Sequence, residues 1–134
     1  MRIVVDTNVL LASIGHHSPY RRLFNAIMQR EVELLVSTSI LLEYEEILTA
    51  RNSAAVASNV LQALNSFSNV HRYDVYYDWR LIHADPDDEK FVDCYVAGRG
   101  DYLVTDDHHF DVLSGIGFPS VRVISALSFL QLLS

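Results

Sequence analysis

The residues best suited to chemistry are carboxylates, and they are spread along the chain: Asp6 in "RIVVDTN", Glu43, Glu45 and Glu46 in "ILLEYEEIL", and Asp106 and Asp107 in "YLVTDDHHF". A denser cluster, "DPDDEKFVD" at 85 to 93, holds five acids in nine residues. Carboxylates gathered from such distant positions into one crevice repel one another. Hard divalent ions that prefer oxygen relieve the repulsion, and Mg²⁺ or Mn²⁺ suits such a donor set. Other chemistries have weaker support. The single cysteine, Cys94, has no evident activating partner. Four of the six histidines fall in adjacent pairs, His16–His17 and His108–His109. Neighbours on one strand or loop seldom converge on one ion, so zinc is not expected and His109 reads as a local structural residue.

The elements that must carry these acids can be read from apolar patterning. "RIVVD", "VELLVS", "DYLVT" and "SVRVIS" are short β-branched or apolar runs, each a buried strand. Between them lie helical stretches: "NVLLASI", halted near Gly15, "PYRRLFNAIMQR" with Pro19 at the first position, "ILLEYEEILTAR" capped by Ser37, Thr38 or Ser39, and its hairpin partner "SAAVASNVLQALNSF". "NVHRYDVYYDWRLIHA" starts as a strand and then loses its pattern. "DDEKFVDCYVAGR", the short "HHFDVLSG" and "ALSFLQLL" complete the helices. Buried strands alternating with helices predict an α/β fold, a three-layer α/β/α sandwich around a parallel sheet.

In such a sheet, ligands bind outside the carboxyl ends of the strands where strand order reverses. Asp6 ends the first strand, and Asp106 and Asp107 follow "YLVT", so neighbouring strands would place them in one crevice. At about 100° per residue, Glu43 and Glu45 flank the apolar stripe of their helix on opposite sides, and Glu46 points away. Periodicity leaves Glu43 or Glu45 open, and likewise Asp106 or Asp107. In the later helix Asp88 heads the stripe of Phe91, Val92, Tyr95 and Val96, with Asp87 and Glu89 to its sides and Asp93 pointing well away. Asp85 as N-cap, Pro86 at the first position and acids in the first turn account for Asp85, Asp87 and Glu89 as a helix start. They do not account for Asp88, since an unpaired charge on the inward face is costly.

Composition narrows the setting. The 134 residues form one domain, 1–134, half hydrophobic, with a formal charge of −7. One cysteine fits a reducing compartment. No cleavable leader is evident, and the apolar tail "ALSFLQLLS" is far shorter than the roughly 20 residues of a membrane span, so a soluble cytoplasmic protein is expected. The negative charge disfavours a protein that coats nucleic acid, but bound metal would supply positive charge to a nuclease. Nine of the ten basic residues are arginine. The adjacent pair Arg21–Arg22 reads as a solvated helix start. A haloacid-dehalogenase-type phosphatase needs a second Asp where Asn8 stands. A phosphoacceptor receiver domain needs an acidic pair at "VVDTN" and a lysine after "VRVIS", and both are missing.

Together, "IVVDTNVLL", "VSTSILLEYEEIL", "DPDDEKFVDCYVAGRGDYLVTDDHHF" and "VRVISALSFL" resemble the PIN-domain nucleases over nearly the whole chain. The resemblance is strongest to the VapC-like branch of toxins of toxin–antitoxin pairs. It implies an acidic quartet of Asp6, Glu43, Asp88 and Asp107 holding one or two Mg²⁺ or Mn²⁺ ions, with Asn8 and Thr105 in support and Asp93 as an outer acid. It also implies a sheet of about four or five parallel strands, hydrolysis of RNA phosphodiesters, an antitoxin partner and a homodimer. A catalytically weak member acting mainly by binding a partner is the alternative. Nothing diagnostic is matched between Ser53 and Ala84.

Overall fold

The structure, a computed structural model, describes residues 1–73, 88–115, 117 and 119–134. Five strands, β1 (Arg2–Val5), β2 (Glu33–Val36), β3 (Val70–Arg72), β4 (Tyr102–Val104) and β5 (Val123–Ile124), form one sheet in the order β3-β2-β1-β4-β5. Every pairing in it is parallel. The helices are α1 (Thr7–Ser13), α2 (Arg21–Met28), α3 (Thr38–Arg51), α4 (Ala54–Ser66), α5 (Glu89–Ala97) and α6 (Ala126–Leu133), with a 3-10 helix at His108–Gly115. The predicted α/β class and parallel sheet are therefore observed.

Continuous apolar runs suit strands covered on both faces. Ile3, Val4, Val5, Leu34, Leu35, Leu103 and Val104 are accordingly all solvent-excluded. Three helices start where serine stands to cap them. The hydroxyls of Ser37, Ser53 and Ser125 accept from the amides of Ile40, Val56 and Ser128, which satisfies donors that the helix itself leaves open. Thus Ser37 is the cap of α3 among the three candidates. The α3 and α4 helices pack on each other. Tyr44 of α3 is fully buried and donates its hydroxyl to the Val5 carbonyl at 2.5 Å, tying α3 to the end of β1.

Some expectations shift. Pro19 is not the first residue of a helix; α2 begins at Arg21. The Arg21 amide instead bonds the Ser18 carbonyl at 3.0 Å. Pro19 thus sits second in a four-residue turn, where its fixed φ is equally favourable. Arg21 and Arg22 face protein groups. Arg21 bonds the Ile14 carbonyl and stacks over Phe24, and Arg22 pairs with Glu31 and the Leu133 carbonyl, which supports the structural reading of the pair. The strand-like start of "NVHRY" is β3. Asp85, Pro86 and Asp87 lie outside the described residues, as does the rest of that stretch. Among the described residues no helix is long and apolar enough to cross a membrane.

Candidate active site

Strand order decides where the acids meet. β1 lies between β2 and β4, so the chain moves one way across the sheet from β1 to β3 and the other way for β4 and β5. The carboxyl ends of β1 and β4 are therefore the point where strand order reverses, the usual place for a ligand crevice. The Asp6 amide bonds the Val104 carbonyl at 3.0 Å, so Asp6 leaves β1 beside the end of β4.

Thr105 joins the two strand ends. Its hydroxyl donates to Asp6 Oδ2 at 2.9 Å and accepts the Asp107 amide at 3.0 Å. Asp6 is 6% exposed, and although it stands at the N-cap position of α1 its side chain makes no capping bond. Asp107 Oδ1 accepts the His109 amide at 2.9 Å at the start of the 3-10 helix, and its charge acts on Asp6. Asp106 is committed elsewhere, accepting the amide of Ala126, the first residue of α6, at 2.9 Å. Asp6, exposed Asn8, Tyr20, Asp106 and Asp107 line a cleft of about 240 Å³.

The helical acids close the other side. Glu43 is partly buried and its charge also acts on Asp6, whereas Glu45 and Glu46 are exposed. One Glu43 oxygen accepts the Thr7 hydroxyl, and the other lies 2.8 Å from the Lys90 ammonium. Asp88 is 9% exposed, with Oδ2 3.7 Å from Nδ1 of His109. That same nitrogen is 3.5 Å from Asp107 Oδ1. One donor atom each from Asp88, Asp107 and His109 lies within 4.8 Å of the others, a spacing that could hold a cation. The expected acids are thus linked in pairs, Asp6 with Asp107 and with Glu43, and Asp88 with Asp107, while the group of cation-holding spacing among the described residues is Asp88, Asp107 and His109.

Asp93 departs from the helical arithmetic. Expected to point well away from the core, it is 7% exposed. Glu89, expected on a flank, is buried too. The helix wheel ranks the positions of α5 by one apolar stripe, and tertiary packing buries these two acids outside it.

A model of the PIN domain family matches residues 2–109. The chain belongs to the PIN-domain family. Its fold is shared by solved structures of low sequence identity. VapBC2 from Rickettsia felis, in a structure bound to a DNA fragment from their promoter, is 14% identical with a TM-score of 0.65, over 93% of this chain and 98% of that one. PAE2754 from Pyrobaculum aerophilum is 19% identical with a TM-score of 0.61, over 99% and 89% respectively. The PIN domain of human SMG5 is 12% identical with a TM-score of 0.55 and full coverage of both chains. No curated protein sequence matches the chain. PIN domains are typically nucleases that use divalent metals, and the oxygen-rich donors in this crevice fit such an ion.

In this PIN domain the electrostatics follow from burial. Desolvation, the largest effect, raises the Asp6 pKa above the usual 3.8; the Thr105 hydroxyl and the Thr7 backbone N–H oppose it, and the charges of Asp107 and Glu43 add to it. A carboxyl with a raised folded-state pKa contributes stability below its unfolded value, and that contribution is lost as pH rises through the folded value. Removing the charge should therefore stabilise the metal-free fold at neutral pH. We expect Asp6→Asn to melt above wild type in EDTA at neutral pH, with the gap closing as pH falls toward 3.8, and a gap that is constant with pH would contradict this assignment. Burial, with a smaller push from Asp93, raises the Cys94 thiol to about 12, which leaves no reactive thiolate near neutrality.

Three residues beside the acids escaped the sequence reading as site members. Thr7 and Lys90 both hold Glu43, and His109 stands between Asp88 and Asp107. Lys90 carried one signal, being the only lysine in the chain. His109 carried another in its place two residues after Asp107.

Proposed function

We propose that this protein is a divalent-metal-dependent endoribonuclease and the toxin of a toxin–antitoxin pair. The observation that supports this best is the grouping of acids beside the carboxyl ends of β1 and β4: Asp107 and Glu43 act on Asp6, and Asp88 and Asp107 share a cation-sized spacing with His109. Burial and mutual repulsion make such a group costly without a cation. Bound Mg²⁺ or Mn²⁺ would supply Lewis acidity and neutralising charge at an RNA phosphodiester.

The chain's own residues do the rest. Asp6, Asp88 and Asp107 hold the ion, and Glu43, from α3, either joins them or orients the attacking water. Thr105 orients Asp6 through its hydroxyl and Asp107 through that residue's backbone amide. Asn8, exposed at the rim of the cleft, offers an amide to the substrate. Asp93 acts as an outer acid on α5. The toxin role, with an antitoxin as partner, self-association and a cytoplasmic setting, draws on the likeness to toxins of toxin–antitoxin pairs and on the fold shared with VapBC2.

The test is cleavage of a mixed structured RNA by purified protein. Cutting in Mn²⁺ or Mg²⁺ that EDTA stops is the expected result. Folded protein that leaves several RNAs intact under both metals would sink the catalytic reading.

A further inference from the structure

Glu43 is held by a lysine of the chain. The Lys90 ammonium lies 2.8 Å from Glu43 Oε1, and both side chains are largely shielded, at 21% and 23% exposure. The remaining oxygen, Oε2, accepts the Thr7 hydroxyl. Lys90 projects from the first turn of α5, two residues after Asp88, and its ammonium also lies 5.9 Å from the centre of the Phe91 ring. Position and contacts direct the ammonium toward the acids, where a lysine serving solubility would extend into water. Among the described residues, pairings to the quartet include Lys90 on Glu43 and His109 beside Asp88 and Asp107.

A pair of metal ions about 3.5–4 Å apart needs carboxylates that bridge them or ligate each one. On the α3 side of this crevice the carboxylate is engaged at both oxygens, and an incoming divalent ion would meet the ammonium as a like charge. We propose that Lys90 is a resident cation of the crevice. It holds Glu43 out of the metal shell, so the site takes a single divalent ion at Asp6, Asp88 and Asp107. This proposal rests on the metal-site reading above and narrows it. Lys90 is a positioning residue here, acting on substrate and ion through Glu43.

The alternative is a salt bridge that merely joins α3 to α5, and ion counting separates the two. Mn²⁺ binding to the full chain would be followed by electron paramagnetic resonance and calorimetry, with thermal melts to confirm folding. Wild type is expected to bind one Mn²⁺ per chain. Glu43→Gln should keep that number and an affinity within about threefold, the scale of a modest ion-pair change. Lys90→Met, which frees Glu43, should admit a second Mn²⁺, Lys90→Arg should not, and adding Glu43→Gln to Lys90→Met should restore one.

Two ions in the wild type would overturn the proposal, as would a loss of about tenfold or more in Mn²⁺ affinity for Glu43→Gln, the effect expected of a group that supports the ion. A folded Lys90→Met that still takes one ion would show a purely structural bridge. If Lys90→Met does not fold, the wild-type count and Glu43→Gln still decide. A wild type that binds no Mn²⁺ would remove the metal site itself and Lys90's role with it, an outcome distinct from a wrong count.

Discussion

Asp6→Asn is expected to lower metal-dependent RNA cleavage on the order of a thousandfold while leaving the protein folded. Asp6 is where the site's constraints meet. It follows the central strand directly, accepts the Thr105 hydroxyl, and feels the charges of both Asp107 and Glu43. Asparagine keeps the shape and an oxygen acceptor for Thr105 but lacks the anion, so the loss would report charge rather than disrupted geometry. The same substitution should stabilise the metal-free fold at neutral pH, because it removes a buried charge. Activity and stability moving in opposite directions would mark Asp6 as a group kept for function at the expense of the fold. Single-turnover cleavage and thermal melts on one preparation read both. Cleavage retained within a few-fold would show that the chemistry does not depend on this carboxylate.

Phe110→Ala should cost about 3–5 kcal/mol of folding stability, the range for deleting a buried aromatic side chain. Phe110 is fully buried, and its ring meets the ring of Phe91 edge-on with centroids 6.4 Å apart. That contact fastens the 3-10 helix to α5. Because Asp107 and His109 flank Phe110 on one side of the contact and Asp88 precedes Phe91 on the other, the two rings underlie the spacing of the acids. Urea unfolding should show the loss in stability. Mn²⁺ affinity should fall as well at urea concentrations where the variant is still native. Phe110→Leu, which keeps most of the apolar bulk, should lose much less of both. A Phe110→Ala variant with wild-type stability would show that this pair does not hold the segment.

The layers of the fold were legible in the sequence because their cause is local. Runs such as "RIVVD" and "DYLVT" are too apolar to face water on either side, and helical stretches between them force parallel connections. The crevice at the ends of the first and fourth strands followed from that, as did Asp6 and the inward aspect of Asp88.

Other features were set by contacts between residues far apart in the chain. Helical angles place Glu43 and Glu45 symmetrically about their stripe. Only the docking of α3 beside α1 and α5 gives Glu43 the partners Thr7 and Lys90 and leaves Glu45 in solvent. Asp106 and Asp107 are adjacent on one loop, and the choice between them depends on where the α6 amide of Ala126 arrives to claim Asp106. The burial of Asp93 is likewise a matter of tertiary packing, since a helix wheel records one apolar face and says nothing of what covers the rest. The sequence by itself determined which chemistry the acids could support. Tertiary packing decided which of them share the crevice, because a carboxylate's role depends on donors and charges that reach it across the fold.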